Sequence, residues 1–425
     1  MVSRQRRGRK KRDDADRLHR SRAMSERRRI AVVVSHPIQY YAPLYRALAK
    51  SDSIALRVLF ASRIGLDRTL DPEMNVELAW ATDLTSGYDS EFLPEADAIR
   101  TIGFRSVDNP SVGPALARFR PDAVVVHGYA MATMLRALAW CRLHRVKAVM
   151  ASDSSSHSAP PGPRRWVKMA TAPVLLRQFG AVLTMSDQAE AHLVSLHYPR
   201  ARMFRTPTMI DDGFWKARDG RAAIGLRKRA ELGLGEDDFV LLSVAKLHPR
   251  KRLIDILAAL QKLKARVQGA KRLRLIIGGD GEERDMLRAY AAEHGLEVTF
   301  LGFVNIDALP ALYCAADAFV HSAEIEQYGM VALEAAVIGL PMILSDRVGA
   351  IGPTSIARPG ENALVYPFGD VEALADAIAN LRDDDSLRQT MSEASRRISE
   401  DHRGPKSVAA VLAACEAGQR AWERT

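Results

Sequence analysis

"EQYGMVALEAA", residues 326–336, sets a carboxylate, Glu334, in the middle of a run that is otherwise almost wholly apolar. Eight positions earlier a second carboxylate, Glu326, precedes a Tyr-Gly pair. Gly329 and Gly339 bracket a segment of helix length and Pro341 follows, so start and stop signals agree at both ends. Such a helix is apolar on nearly every side and belongs inside the molecule. A buried carboxylate without a partner is costly, so Glu334 needs a cation, hydroxyls or backbone donors. A core arginine would satisfy it, and so would the ribose hydroxyls of a nucleotide. Glu326 falls in the loop before the helix, whose N-terminus carries about half a positive charge and readily takes phosphate.

Around that helix, short β-branched runs alternate with longer helical patterns, as in βαβ units of a parallel sheet covered on both faces. In the first half the strand candidates are "RIAVVVS" (29–35), "IALRVLFAS" (54–62), "DAVVVHGY" (122–129), "KAVMAS" (147–152) and "AVLTMS" (181–186). In the second half they are "FVLLSVAKL" (239–247), "RLRLIIGGD" (272–280), "VTFLGFV" (298–304), "AFVHSAE" (318–324) and "PMILSD" (341–346). Each half reads as its own doubly wound α/β sheet. The stretch 211–238 is rich in charge and glycine and lacks a strand pattern, so the boundary is expected there. The chain thus divides into a disordered basic tail (1–29), an α/β domain (30–210), a second (211–398) and a final helical segment (399–425) packed back on the body. Two open sheets of this kind bind ligands at the carboxyl ends of their strands, and facing each other they make a cleft.

The length of 425 residues agrees, since single cores stop growing at about 250 to 300 residues. The net charge of +10 invites a nucleic-acid reading until its location is considered. Residues 1–29 hold thirteen Lys or Arg against four acids, so nearly all of the excess lies in the tail. Such a block is a solvated arm, or an arm that holds the protein at an anionic membrane face. A nucleic-acid partner is not expected. Three cysteines lie far apart with no CxxC pair, which excludes a disulfide framework and a structural zinc. No apolar window reaches spanning length and no secretory signal is seen, so the expected location is cytoplasmic, with the inner membrane face as an extension of that reading.

Two clusters of chemistry stand at strand ends. "AKLHPRKRL" (245–253) places Lys246 and Lys251 on either side of a Pro249 turn, where two ammonium groups would suit a diphosphate; a basic surface loop is the plainer reading. "GGDGEE" (278–283) is a close packing turn rather than a dinucleotide fingerprint.

Taken together, Glu326 and Glu334 with Gly329 between them resemble the two-glutamate motif of the retaining GT-B glycosyltransferases, in particular glycosyltransferase family 4. The resemblance extends over "SVAKLHPRKRL" (243–253), "LIIGGDGEERDML" (275–287), "VTFLGFV" (298–304), the run 311–346 and "GENALVYPFGDVEALADAI" (360–378). It implies the GT-B fold, two Rossmann-like domains facing a central cleft. It also implies transfer of a sugar from a nucleoside-diphosphate donor, with retention, to a glycan or lipid-linked acceptor. By that likeness Glu334 holds the donor ribose and Glu326 stands near the hydroxyls of the transferred sugar. Lys246 and Lys251 match the two basic positions that grip the diphosphate, and the amides of Tyr328, Gly329 and Met330 complete the pocket. Where the family usually has Gly-Arg, this chain has Ala245 and Lys246, which keeps the charge and loses the bidentate fork. No cofactor is implied, and with no carboxylate triad evident, metal independence is expected.

The first half opens with "SHPIQYYAPLYRAL" (35–48), which resembles a bacterial subset of such transferases seen in surface polysaccharide assembly. His36, Gln39 and Tyr40 are acceptor-side candidates there, or else helix-entry packing around Pro37. His127 matches the histidine that family members place near the reacting sugar, and Asp153 in "ASDSSSHS" is a further acceptor-side candidate. The basic and apolar stretch 162–180 reads as an amphipathic helix, with a membrane-surface role as the alternative. The rival functions are a GT-B sugar-nucleotide epimerase and a non-catalytic binding protein with a decayed site.

Overall fold

The structure, a computed structural model, describes residues 27–66, 69–71, 76–78, 83–152, 171–266 and 271–422. The apolar runs form two parallel sheets. The first contains β1 (Arg28–Val34), β2 (Ile54–Phe60), β5 (Ser90–Phe92), β6 (Ala123–His127), β7 (Lys147–Ser152), β8 (Ala181–Thr184) and β9 (Met203–Arg205), in the order β5-β2-β1-β6-β7-β8-β9. A small antiparallel pair, β3 (Thr69–Asp71) and β4 (Val76–Leu78), stands apart from it. The second contains β10 (Asp238–Val244), β11 (Arg272–Gly278), β12 (Val298–Phe300), β13 (Ala318–His321), β14 (Met342–Ser345) and β15 (Ala363–Tyr366), in the order β12-β11-β10-β13-β14-β15.

Both orders reverse direction once. In the first sheet the reversal lies between β1 and β6, paired Ile30↔Ala123 through Val33↔Val126; in the second it lies between β10 and β13, paired Leu241↔Ala318 and Leu242↔Phe319. A crevice opens at such a switch point because the connections on its two sides leave in opposite directions.

The stretch 211–238 is not an open linker. It folds as two helices, Asp212–Asp219 and Arg221–Glu231, packed on the second sheet. Phe214 is wholly buried there, edge-on to Tyr313 with ring centroids 5.7 Å apart. Its apolar residues follow no period of two, which is why it shows no strand pattern. The "VTFLGFV" run stays extended only through Phe300, because Gly302 turns at φ +72° to bridge Gly279.

The helix predicted around Glu334 spans Met330–Ile338, with left-handed glycines at both ends, Gly329 (φ +91°) and Gly339 (φ +87°). Arg221 binds its far end, donating from Nη1 to the Gly339 carbonyl at 2.8 Å, and Ser392 Oγ donates to the same oxygen at 2.6 Å. A cation and a hydroxyl thus meet carbonyls that the helix cannot pair internally.

The chain crosses between the sheets twice, and the crossings touch. His402 Nδ1 lies 2.6 Å from the Thr208 carbonyl, and Ser407 Oγ donates to the Pro207 carbonyl at 2.6 Å. The last helix, Pro405–Trp422, then returns to the first sheet, burying Val411, Ala414 and Cys415 in the core formed by Ile30, Val32 and Val149. A second bridge joins the helix after β8 to the segment after β14. Asp187 accepts from Thr354 N at 2.8 Å and Ser355 Oγ at 2.9 Å, and Gln188 Nε2 donates to the Val348 carbonyl at 3.0 Å.

All three cysteines are buried and free. Among the described residues, no helix is long and apolar enough to cross a membrane, and no cluster of three or more His, Cys, Asp or Glu could hold a metal.

Candidate active site

Glu334 is 1% exposed, and its partner is a tyrosine hydroxyl rather than an arginine: Tyr313 Oη donates to Oε2 at 2.6 Å. Burial, only partly offset by that hydrogen bond, pushes its carboxyl up to about 7. Tyr313 stands on the Leu309–Ala315 helix, which leads into β13, so the pair ties the helix before the strand to the helix after it.

Glu326 sits in the loop between β13 and that second helix. Lys251 Nζ donates to its Oε2 at 2.5 Å, and His321 Nε2 lies 3.2 Å from the same oxygen. A carboxylate only accepts, so Nε2 carries the hydrogen. Burial works to raise the Glu326 carboxyl, but the His321 hydrogen bond and the Lys251 charge outweigh it and hold the group down at about 2. Glu326 is therefore ionised across the physiological range.

The two loops at the second switch point are laced together. Ser322 Oγ donates to the Lys251 and Arg252 carbonyls at 2.9 and 2.8 Å, and Glu324 N donates to the Arg250 carbonyl at 2.8 Å. Lys246, half-buried, lies two residues beyond β10 on a segment stitched to the "GGDGEE" turn. Ala245 N donates to the Gly278 carbonyl at 3.0 Å and Leu247 N to the Asp280 carbonyl at 2.9 Å. The approach is so close that a Cβ on Gly279 would lie 1.8 Å from the Ala245 carbonyl oxygen. Tyr328 is buried in the second sheet's apolar cluster, Gly329 is buried, and Met330 is half-buried as the first helical residue.

Across the cleft the first switch point supplies His36 and His127. His127 is the last residue of β6, as His321 is of β13, so both strands just beyond the switch end in histidine. Its Nε2 lies 3.1 Å from Tyr45 Oη, and the Tyr41 ring meets it edge-on at 4.4 Å. Burial and the neighbouring His36 charge push His127 down to about 4, so the ring is neutral. His36 Nδ1 lies 2.8 Å from Ser35 Oγ, and burial lowers this ring also. Gln39 Oε1 is buried without a hydrogen-bond partner among the described residues. The Tyr40 phenol is pushed up chiefly by burial and then by the Glu334 and Glu326 charges, with a hydrogen bond from Gln39 opposing. The phenol on the first-sheet side thus lies within electrostatic range of both carboxylates of the second. Asp153, the tail 1–26 and residues 162–170 of the expected amphipathic stretch lie outside the described residues.

The sequence did not single out Tyr313 or His321. Tyr313 was signalled only by the need of a buried carboxylate for a donor. His321 ends a strand beside a switch point as His127 does, but His127 was singled out by its likeness to the family's histidine, and no such likeness marked His321.

Two doubly wound sheets meeting at their switch points over a helix N-terminus define the GT-B class of fold. Solved structures share it across nearly the whole chain. Sucrose-phosphate synthase from Thermosynechococcus elongatus aligns with a TM-score of 0.67 at 20% identity, covering 94% of this chain and 100% of that one. Anabaena HepE in complex with UDP and glucose aligns with a TM-score of 0.61 at 16% identity, covering 93% and 98%. In sequence, the GDP-mannose-dependent alpha-(1-6)-phosphatidylinositol monomannoside mannosyltransferase of Mycobacterium tuberculosis is 30% identical over 323 residues, 71% of this chain and 80% of the relative. The profile of the family described as Glycosyl transferases group 1 matches residues 226–398. The chain belongs to that family, and it is a glycosyltransferase that uses nucleotide-sugar donors.

Proposed function

We propose that this enzyme moves a hexose from a nucleoside-diphosphate sugar to a hydroxyl of a glycan or lipid-linked acceptor, with retention at the anomeric carbon. The observation that carries the reading is the pair of carboxylates at one switch point, Glu334 buried and Glu326 half-buried, each with Oε2 held by a protein donor. Tyr313 and Lys251 fix the two groups, so that Oε1 of Glu334 meets the ribose hydroxyls and Oε1 of Glu326 meets hydroxyls of the transferred sugar.

Lys246, the Lys251 ammonium and the helix N-terminus at Gly329 and Met330 meet the diphosphate, whose charge grows as its bond to the sugar breaks. The leaving phosphate then takes the proton of the incoming acceptor hydroxyl. Neutral His127 offers a hydrogen bond near the reacting sugar, and the open Gln39 Oε1 accepts one from a sugar hydroxyl on the acceptor side. The acceptor is read as membrane-linked, in surface polysaccharide or glycolipid assembly on the cytoplasmic side; the phosphatidylinositol-linked acceptor in the mycobacterial relative's name supports this.

The test is a panel of UDP-, GDP- and ADP-sugars screened for thermal stabilisation. A matching donor at about 100 times its dissociation constant adds about 2.7 kcal/mol. Nucleotide release should then depend on an added acceptor. Stabilisation by no member of the panel, or release at an acceptor-independent rate, would overturn the reading.

A further inference from the structure

The segment Arg100–Arg105, "RTIGFR", takes no part in this chemistry. Ile102 is 43% exposed and Phe104 54% exposed, two large apolar side chains on one loop with an exposed arginine on either side. The loop is not frayed, because its base is clamped. Ile99 and Val107 are buried with Ala61 in a small apolar cluster, and Ala132 N donates to the Phe104 carbonyl at 3.0 Å. Behind them Asn109, wholly buried, donates from Nδ2 to the Ala61 carbonyl at 3.0 Å and accepts from Thr133 Oγ1 at 2.7 Å. A fixed base therefore holds an apolar tip out in water.

The charge around the tip is positive on balance. Asp97 pairs with Arg63 at 3.4 Å and Asp108 with Arg136 at 2.5 Å, which leaves the Glu95 carboxylate, hydrogen-bonded to the Ser111 hydroxyl at 2.5 Å, against Arg100 and Arg105. Arg100 and Arg105 form no ion pair among the described residues. The loop also stands at a telling edge. It follows β5, which runs parallel to β1 and β6, so it leaves the sheet on the side where His36 and His127 lie. Ala132, to which it is tied, opens the helix that follows His127.

Exposed apolar side chains flanked by guanidinium groups suit the boundary of an anionic bilayer, where the first enter the acyl region and the second meet phosphates. We propose that the Arg100–Arg105 loop docks this glycosyltransferase on an anionic lipid surface. Ile102 and Phe104 enter the interface, Arg100 and Arg105 bind headgroup phosphates, and the open side of the first sheet faces the membrane. The docking extends the membrane-acceptor part of the proposed function and gives a lipid-linked hydroxyl a short path to the His127 side of the cleft.

The test uses the full chain carrying Ile102→Cys, labelled with an environment-sensitive fluorophore. Cys141, Cys314 and Cys415 are 1%, 6% and 0% exposed, so the new thiol is the one available to the label. On vesicles of phosphatidylglycerol and phosphatidylcholine, emission should shift to the blue and be quenched by brominated acyl chains. Pure phosphatidylcholine and high salt should abolish both effects. In co-sedimentation, the pairs Arg100→Ser with Arg105→Ser and Ile102→Ser with Phe104→Ser should each lower partitioning roughly tenfold or more while leaving donor binding unchanged. No vesicle binding, or binding through the basic tail with the label still in water and the double variants unaffected, would overturn the proposal. Vesicle binding needs neither donor nor turnover, so its failure leaves the transfer reading standing, and an inactive protein that still inserts its label leaves the docking standing.

Discussion

At Glu334 the proposed contact to the donor ribose and the stability of the fold pull in opposite directions. The native carboxyl titrates near 7 against an ordinary value near 4.5, so the folded state holds this proton more tightly than the unfolded chain. Its contribution to stability is complete below about 4.5 and is lost as pH rises through about 7. Glu334→Gln keeps an acceptor for Tyr313 without the buried charge and should melt at a higher temperature than wild type at pH 8, by roughly 1 to 3 kcal/mol of stability. The same change should weaken donor binding roughly ten- to a hundredfold, the size of a lost charged hydrogen-bond pair. Donor affinity in the unaltered enzyme should rise with pH through about 7, as the carboxylate that accepts from the ribose forms. Tyr313→Phe, which removes a hydrogen bond favouring the ionised form, should move that rise to higher pH, read from the profile of kcat/KM. Glu334 was legible because a carboxylate in an apolar run contradicts its surroundings. Tyr313, 21 residues earlier, carried no such contradiction, since a tyrosine in an apolar helix is ordinary.

Among the elements, the strand end bearing Lys246 is placed by the turn beside it. Gly279 sits at φ +143° with backbone where a Cβ would go, so Gly279→Ala must push the Ala245–Leu247 segment away. The variant should lose about 1 to 3 kcal/mol of stability and raise the donor KM several-fold, measured by denaturant unfolding and initial rates. Gly329 is less crowded, its added Cβ 3.2 Å from Glu326 Cγ and Val348 Cγ1, but its left-handed backbone strains any substitute. The long apolar strands and the Glu334 helix were readable because burial on all sides writes an unbroken apolar run. The strands β5 and β9, Ser90–Phe92 and Met203–Arg205, went unread because each is three residues with polar ones among them, outside the longer apolar runs that revealed the comparably short β8 and β12; β15, Ala363–Tyr366, was passed over as a strand. The helices Asp212–Asp219 and Arg221–Glu231 were hidden by their charge, which serves partly to let Arg221 and Arg229 bind carbonyls of the second domain.

For the whole molecule, the cleft depends on contacts that no local pattern encodes. Asp187, held near 2 because the Thr354 and Arg205 hydrogen bonds overcome burial, fastens the helix after β8 to the segment after β14. Asp187→Ala should loosen this bridge, which would appear as a larger radius of gyration in X-ray scattering and a higher donor KM with little change in melting of either core. The two sheets and a cleft between them could be expected from the alternation of strands and helices. The fastening could not, because Asp187 and Thr354 are 167 positions apart and look like ordinary surface residues.

The return of the last helix to the first sheet has a consequence for biosynthesis. The apolar face beneath Val411, Ala414 and Cys415 includes Ile30, Val149 and Leu183, and its cover lies some two hundred residues further along the chain. The first sheet thus waits, greasy side open, while some two hundred further residues are added before its covering helix is made. At about 5 to 20 residues per second that is tens of seconds of exposure, an interval in which a chaperone has reason to be present.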